Sequence, residues 1–221
     1  MIRIPCEQGS EQWALARRGI PTASCMSRII QPAKGKMSAQ ARKYACELIA
    51  EKFVDPRYWI QPLDPNSAYM DHGSRTEAEA AKFFAFHTGL HLRRGGFIKS
   101  DCERYGCSPD ALIVNPEDDM KFDGGLELKC PAHKTHVEWL LDGGLPTEHR
   151  PQVHASLVVT GLPVWHFMSY ANGLPPLLVK AEPDDYTDKV RKCLEDFCGL
   201  LKDLSARVQS FGAVEGEVSD D

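Results

Sequence analysis

The run GLELKCP at residues 125–131 places two charges, Glu127 and Lys129, inside an otherwise apolar stretch bounded by glycine and proline. Such a stretch reads as a strand. Along a strand, residues two apart point to the same face, so Glu127 and Lys129 project together while Leu126 and Leu128 enter the opposite layer. Two charged side chains on a buried strand are costly unless each has a partner or a metal ion. A same-face salt bridge is the simplest answer for an isolated tripeptide of this kind.

A second acid changes the reading. In CSPDALIV, residues 107–114, Asp110 follows a proline at the head of another strand-like piece, about one hairpin upstream of Glu127. Pairing of the two strands brings both carboxylates together. Carboxylates that close repel and take up a proton unless a divalent cation neutralises them. Hard oxygen ligands suit magnesium, which keeps several waters and bridges to phosphate oxygens. With two ions, one generates a hydroxide while the other stabilises the leaving oxygen. Lys129 then orients or activates the water, or neutralises charge building on the phosphoryl group. These residue types fit metal-assisted hydrolysis of a phosphodiester.

The bulk properties agree with an enzyme of that kind. A chain of 221 residues with 43% hydrophobic and 26% charged residues can bury one substantial core, so a single α/β domain over residues 1–211 is expected. Residues 212–221 are too acidic and too poor in apolar side chains to order themselves. The net charge of −5 argues against nucleic acid only until it is divided. Residues 1–57 hold ten Lys/Arg against five Asp/Glu, whereas residues 182–221 hold five against eleven. A locally basic surface binds phosphates even on an acidic protein, because charges are screened beyond about 8 Å at physiological salt. The amino terminus carries no secretory signal and no run of about 18 apolar residues occurs, so a cytoplasmic protein without a membrane anchor is expected. Eight cysteines are scattered without a CxxC pair and read as reduced thiols; a zinc site built on His133 and His136 has no spacing to support it.

Helices are expected over SEQWALARRG, with Ser10 as cap and Gly19 as stop, and over TASCMSRII, capped from Thr22 or Ser24. SAQARKYACELIAEKFV follows, with Ala41, Ala45, Leu48, Ile49 and Phe53 on one stripe. After a proline-bearing loop, DPRYWIQPLDPNS, comes a helix over HGSRTEAEAAKFFAFHTG, with Phe83, Phe84 and Phe86 in the core. The pieces GGFIKS, ERYGCSPDALIV and GLELKCP suggest a small antiparallel sheet. Helices over HKTHVEWLLDGG and TEHRPQVHASLVVTG come next, the latter with Gln152, Ala155 and Val159 facing the sheet. Two strands, PVWHFMSYA and LLVKAEP, precede a long final helix. That helix carries Tyr186, Val190, Leu194, Phe197, Leu201, Leu204 and Val208 on its apolar stripe.

The motifs SPD and LELK resemble the PD-(D/E)xK nuclease superfamily. The wider series EQGSEQWALARRGIPTAS, HGSRTEAEA, GCSPDAL, GLELKCP and RPQVHASLVVTG resembles, in the same order, the lambda-type phage exonucleases or YqaJ-like viral recombinases. The resemblance covers roughly residues 8 to 170. It implies a restriction-endonuclease-like core, a central mixed sheet flanked by helices. It further implies Asp110, Glu127 and the Leu128 carbonyl as metal ligands, Lys129 at the water, Glu77 as a helix-borne acid of the same site, and Gln152 facing it. Arg17, Ser24 and Ser108 would hold a terminal 5′ phosphate, an arrangement that an arginine fork and hydroxyls near a helix start make chemically sensible. Met70, in the loop entering the Glu77 helix, would separate the terminal base pairs. The tyrosine that many relatives carry four residues beyond Gln152 is replaced here by Ser156.

By the same resemblance the chain is a Mg²⁺-dependent 5′-to-3′ exonuclease on double-stranded DNA ends, with Mn²⁺ able to substitute and two ions per site. It would act in phage-type recombination with a single-strand annealing protein, inside the bacterial cytoplasm, as a trimeric ring. The rivals are another PD-(D/E)xK endonuclease, a Cas4-like nuclease, or a non-catalytic DNA-end-binding module. Cas4-like enzymes carry an iron–sulfur cysteine cluster, which the cysteine spacing here does not match.

Overall fold

A computed structural model describes residues 1–55 and 67–213, with side chains for 1–55 and 76–211. Most of the proline-bearing loop and the acidic tail therefore lie outside the described residues. In chain order the elements are β1 (Ile2–Ile4), α1 (Glu11–Arg17), a 3-10 turn (Ala23–Arg28), α2 (Ala41–Phe53), α3 (Ser67–Thr88), β2 (Leu92–Arg93), β3 (Phe97–Lys99) and β4 (Gly106–Cys107). They continue with β5 (Ala111–Val114), β6 (Phe122–Lys129), α4 (His133–Asp142), α5 (Arg150–Thr160), β7 (Trp165–Ser169), β8 (Leu177–Ala181) and α6 (Asp185–Ala213).

The helix starts follow local chemistry. Ser10 caps α1 by accepting a hydrogen bond from the Trp13 backbone N–H, and Gly19 adopts positive φ just beyond the end. Thr22 precedes only a short 3-10 segment and makes no side-chain cap bond. α3 begins at Ser67, earlier than the expected start at His72, because SAYMD contains no helix breaker; the backbone of Met70 is thus helical.

The central mixed sheet flanked by helices is present, but the pieces GGFIKS, ERYGCSPDALIV and GLELKCP, expected together in one small antiparallel sheet, are split between two sheets. β1, β3 and β4 make an antiparallel three-stranded sheet, and β2, β5, β6, β7 and β8 make a five-stranded one. The segment ERYGCSPDALIV is therefore divided between the sheets, with Ser108, Pro109 and Asp110 as the crossing. The larger sheet is mixed. β5 and β6 form the anticipated hairpin, but β7 runs parallel to β6, reached through the crossover of α4 and α5. Gly125 permits this packing, since a Cβ there would stand 2.3 Å from the Trp165 ring.

Alternation along β6 sorts the layers. Leu126 and Leu128 join Ala80 and Phe84 of α3 and Met168 of β7 in one cluster. A larger cluster on the other side takes Trp165, Phe167, Val153, Leu157, Val190 and Phe197 from β7, α5 and α6. Two expected core positions fail. Phe84 is fully buried and Phe83 packs partly against the smaller cluster, but Phe86 is 91% exposed, because residues two apart on a helix face opposite ways. Phe53, at the last turn of α2, is 42% exposed where the helix outruns the core. The stripe of α6 is buried through Phe197 and opens to solvent at Val208.

Candidate active site

The β5–β6 hairpin brings the two acids together. Asp110 enters the ladder by donating its backbone N–H to the Leu126 carbonyl at 3.1 Å, and its Oδ2 accepts the Leu128 N–H at 2.6 Å. Glu127 is 3% exposed. Its Oε1 accepts from Lys129 Nζ at 2.5 Å and from Gln152 Nε2 at 2.6 Å. The same-face ion pair expected of LELK is therefore present, and a helix-borne amide completes it. α5 supplies Gln152 in its first turn, and the Ser156 hydroxyl, in place of the relatives' tyrosine, turns back to donate to the Gln152 carbonyl at 3.0 Å.

The charges do not balance. Burial, then the charge on Glu127, lifts the Asp110 carboxyl well above the usual range; Lys129 and the Leu128 N–H pull against this, and Glu77 adds to it. Burial likewise raises Glu127, against the pull of Lys129 and Gln152. For Lys129, burial disfavours the charge, but Glu127 and Asp110 outweigh it and hold the amine as an ammonium. With both carboxyls ionised, one ammonium could not neutralise them, and in the absence of a further cation the pair retains a proton instead.

A divalent ion fits that deficit. Among the described residues no three His, Cys, Asp or Glu side chains converge as a closed metal cage. Asp110 and Glu127 with the Leu128 carbonyl, all hard oxygens, are the groups here that could hold such an ion. Magnesium is characteristically held by one or two carboxylates, with waters and substrate phosphate completing the shell.

A cleft of about 390 Å³ opens beside Asp110, its lining including Leu128, Glu77, Gln8, Arg94 and Cys6. Glu77 is exposed on α3 and reaches the site as expected, although it is 33 residues from Asp110 in the chain.

Arg17, Ser24 and Ser108, expected to hold a terminal phosphate, are linked to one another through Trp13 and Thr22. Arg17 lies over the Trp13 ring at 4.1 Å and donates to Thr22 Oγ1 at 3.4 Å, which in turn is 3.2 Å from Ser24 Oγ. Trp13 Nε1 donates to Ser108 Oγ at 2.8 Å, closing the group. Trp13, Thr22 and Gln8 were missed from the sequence. The Trp13–Arg17 spacing of four on one helix was the available signal. The side chain of Met70 lies outside the described residues.

His149 caps the back of the site. Its ring stacks on Phe167 at 5.5 Å and meets Trp139 edge-on at 5.1 Å. Burial, and secondarily Lys129, lowers it from 6.5 to about 4. The unfolded chain therefore holds a proton in that window that the folded chain rejects, so His149 costs stability as pH falls from 6.5 to about 4. His154 and His166 act in the same direction, and the buried acids in the opposite one. The readout is accordingly a difference: His149→Phe should flatten the acid-side decline in melting temperature relative to wild type, measured by calorimetry from pH 7 to 4. Parallel curves would rule the histidine out as a contributor.

A model of the YqaJ-like viral recombinase domain matches residues 12–163. No curated protein matches the chain. Among solved structures, the alkaline exonuclease LHK-Exo from Laribacter hongkongensis superposes with a TM-score of 0.77 at 24% identity, over 94% of this chain and all of the other. The same enzyme in complex with dAMP gives 0.77 at 25% identity over the same shares. A phage-related exonuclease from Haemophilus somnus 129PT gives 0.62 at 13% identity, over 86% of this chain and 96% of the other. These likenesses place the mixed sheet and its helices in the PD-(D/E)xK fold of phage-type exonucleases.

Proposed function

This chain belongs to the YqaJ-like viral recombinase family, and from that premise we infer that it is a Mg²⁺-dependent exonuclease that digests one strand of duplex DNA from a 5′-phosphorylated end. The product is a 3′ single strand suited to an annealing protein. The observation that carries the reading is the meeting of Asp110, Glu127, Lys129 and Gln152 at one sheet end, with the Arg17, Ser24 and Ser108 group a single tripeptide away. A trimeric ring closed around the duplex is part of the same reading.

Asp110, Glu127 and the Leu128 carbonyl would hold the ions. When bound, divalent ions supply a water of lowered pKa and neutralise the leaving oxygen. The protein's own groups do the rest. Held as an ammonium, Lys129 donates hydrogen bonds to the incoming water or to a phosphoryl oxygen, stabilising charge as it develops. Gln152 fixes the Glu127 carboxylate through one oxygen. Arg17, braced on Trp13, presents its guanidinium to the terminal phosphate with the Ser24 and Ser108 hydroxyls near it.

The test is digestion of linear duplex with and without a 5′ phosphate, in Mg²⁺ and in EDTA, beside a closed circle. Loss of phosphorylated linear DNA only, and only with metal, is expected; cutting of the circle would favour an endonuclease. Arg17→Ala should reduce the preference for phosphorylated over hydroxyl ends by about tenfold, as loss of a charge-assisted contact of about 1.5 kcal/mol requires. An unchanged ratio would remove the anchor from the reading.

A further inference from the structure

Residues 108–110 carry the two halves of the site in one tripeptide: Ser108 belongs to the anchor group and Asp110 to the acid pair, with only Pro109 between them. Whatever orients that peptide sets the spacing between a bound terminal phosphate and the bond to be cut.

Gln8 holds it from the cleft side. Its Nε2 donates to the Pro109 carbonyl at 2.9 Å, across 101 residues of sequence. That carbonyl lies in the peptide bond joining Pro109 to Asp110, so the contact restrains the plane from which Asp110 departs. Five residues further along the same amino-terminal segment, Trp13 holds Ser108. Gly95, in the same cleft lining, packs directly on Pro109: a Cβ there would fall 2.5 Å from the proline Cγ and 2.5 Å from the same carbonyl oxygen. Glu7 and Arg94, the chain neighbours of Gln8 and Gly95, form an exposed ion pair at 3.5 Å. Gln8 itself is exposed and belongs to neither apolar cluster, so folding does not require it.

We infer that Gln8 is a positioning residue that fixes the Pro109–Asp110 peptide and thereby the register between the phosphate anchor and the acid pair. The inference rests on the exonuclease reading for its consequence, the length of the released product. With Gln8 in place, the phosphodiester next to the anchored phosphate meets the acids and mononucleotides leave. Without it, the peptide rocks against Gly95, Asp110 is less well placed to hold a cation, and the strand can be cut one step out of register.

The experiment compares wild type, Gln8→Ala and Gln8→Met, the last keeping the side-chain length while removing the donor without adding charge. Products from a 5′-phosphorylated duplex are resolved by length, and Mn²⁺ affinity is measured by calorimetry without DNA. Both variants should bind Mn²⁺ about fivefold more weakly, the loss of one hydrogen bond's orientation, and should release a dinucleotide fraction several-fold above wild type. Melting temperature and binding of phosphorylated ends in EDTA should be unchanged. Wild-type product lengths with wild-type Mn²⁺ affinity would overturn the inference, as would a lowered melting temperature with product length unaltered. If wild type releases no nucleotides, the exonuclease reading fails instead, and the Mn²⁺ affinities still decide the role of Gln8.

Discussion

Lys129→Ala is expected to slow digestion of phosphorylated duplex by about 10²–10³-fold, the usual effect of removing one preorganised donor from a reacting centre, while end binding in EDTA persists. The size follows from the balance at the site. Among the described residues Lys129 is the one side-chain cation hydrogen-bonded to the buried Glu127, and Asp110 also holds it charged. Its removal leaves Gln152, among the described residues, as the remaining side-chain donor to Glu127 and takes away the ammonium expected to face the developing phosphoryl charge. Lys129→Arg should recover part of the rate, because the charge is kept while the single-point geometry is not. A Lys129→Ala protein of full activity would remove the amine from the chemistry.

Asp110→Asn should abolish digestion and yet leave the metal-free protein at least as stable as wild type at neutral pH. The sign comes from linkage. The folded-state pKa of Asp110 is raised above its unfolded value, so its favourable contribution is complete below the ordinary carboxylate range and is lost as pH rises through the raised value. Asparagine removes that loss and can still accept the Leu128 N–H through its amide oxygen. In wild type, Mg²⁺ should raise the melting temperature by mass action on the folded state; in the variant the upshift should vanish. Thermal melts with EDTA and with Mg²⁺ measure both effects. A Mg²⁺ upshift preserved in the variant would place the ion elsewhere.

Much of this architecture was legible because it depends on short-range periodicity. The stripes of α2 and α6 and the alternation of Leu126 and Leu128 against Glu127 and Lys129 follow from spacings within a few residues. Spacing alone did not reveal that Phe86 sits on the outer side of α3, where it lay among three phenylalanines, or that Phe53 passes the edge of the core. β1 and β2, of three and two residues, exist only because β3 and β5 offer them edges. At the site, the acids and the lysine were visible through their hairpin spacing. Trp13 was signalled only by its spacing of four from Arg17, its partner Ser108 standing 95 residues away, and Gln8 by nothing local, its partner standing 101 residues away.

The parallel pairing of β6 with β7 has a consequence for synthesis of the protein. Glu127 and Lys129 leave the ribosome before Gln152, and their strand gains its inner neighbour only when residues 165–169 have followed. A nascent chain halted anywhere in the intervening helices holds the acids on a sheet edge, without the amide that steadies one of them. Completion of the acid pair and its amide is thereby deferred until residues 165–169 have been made, a delay written into strand order.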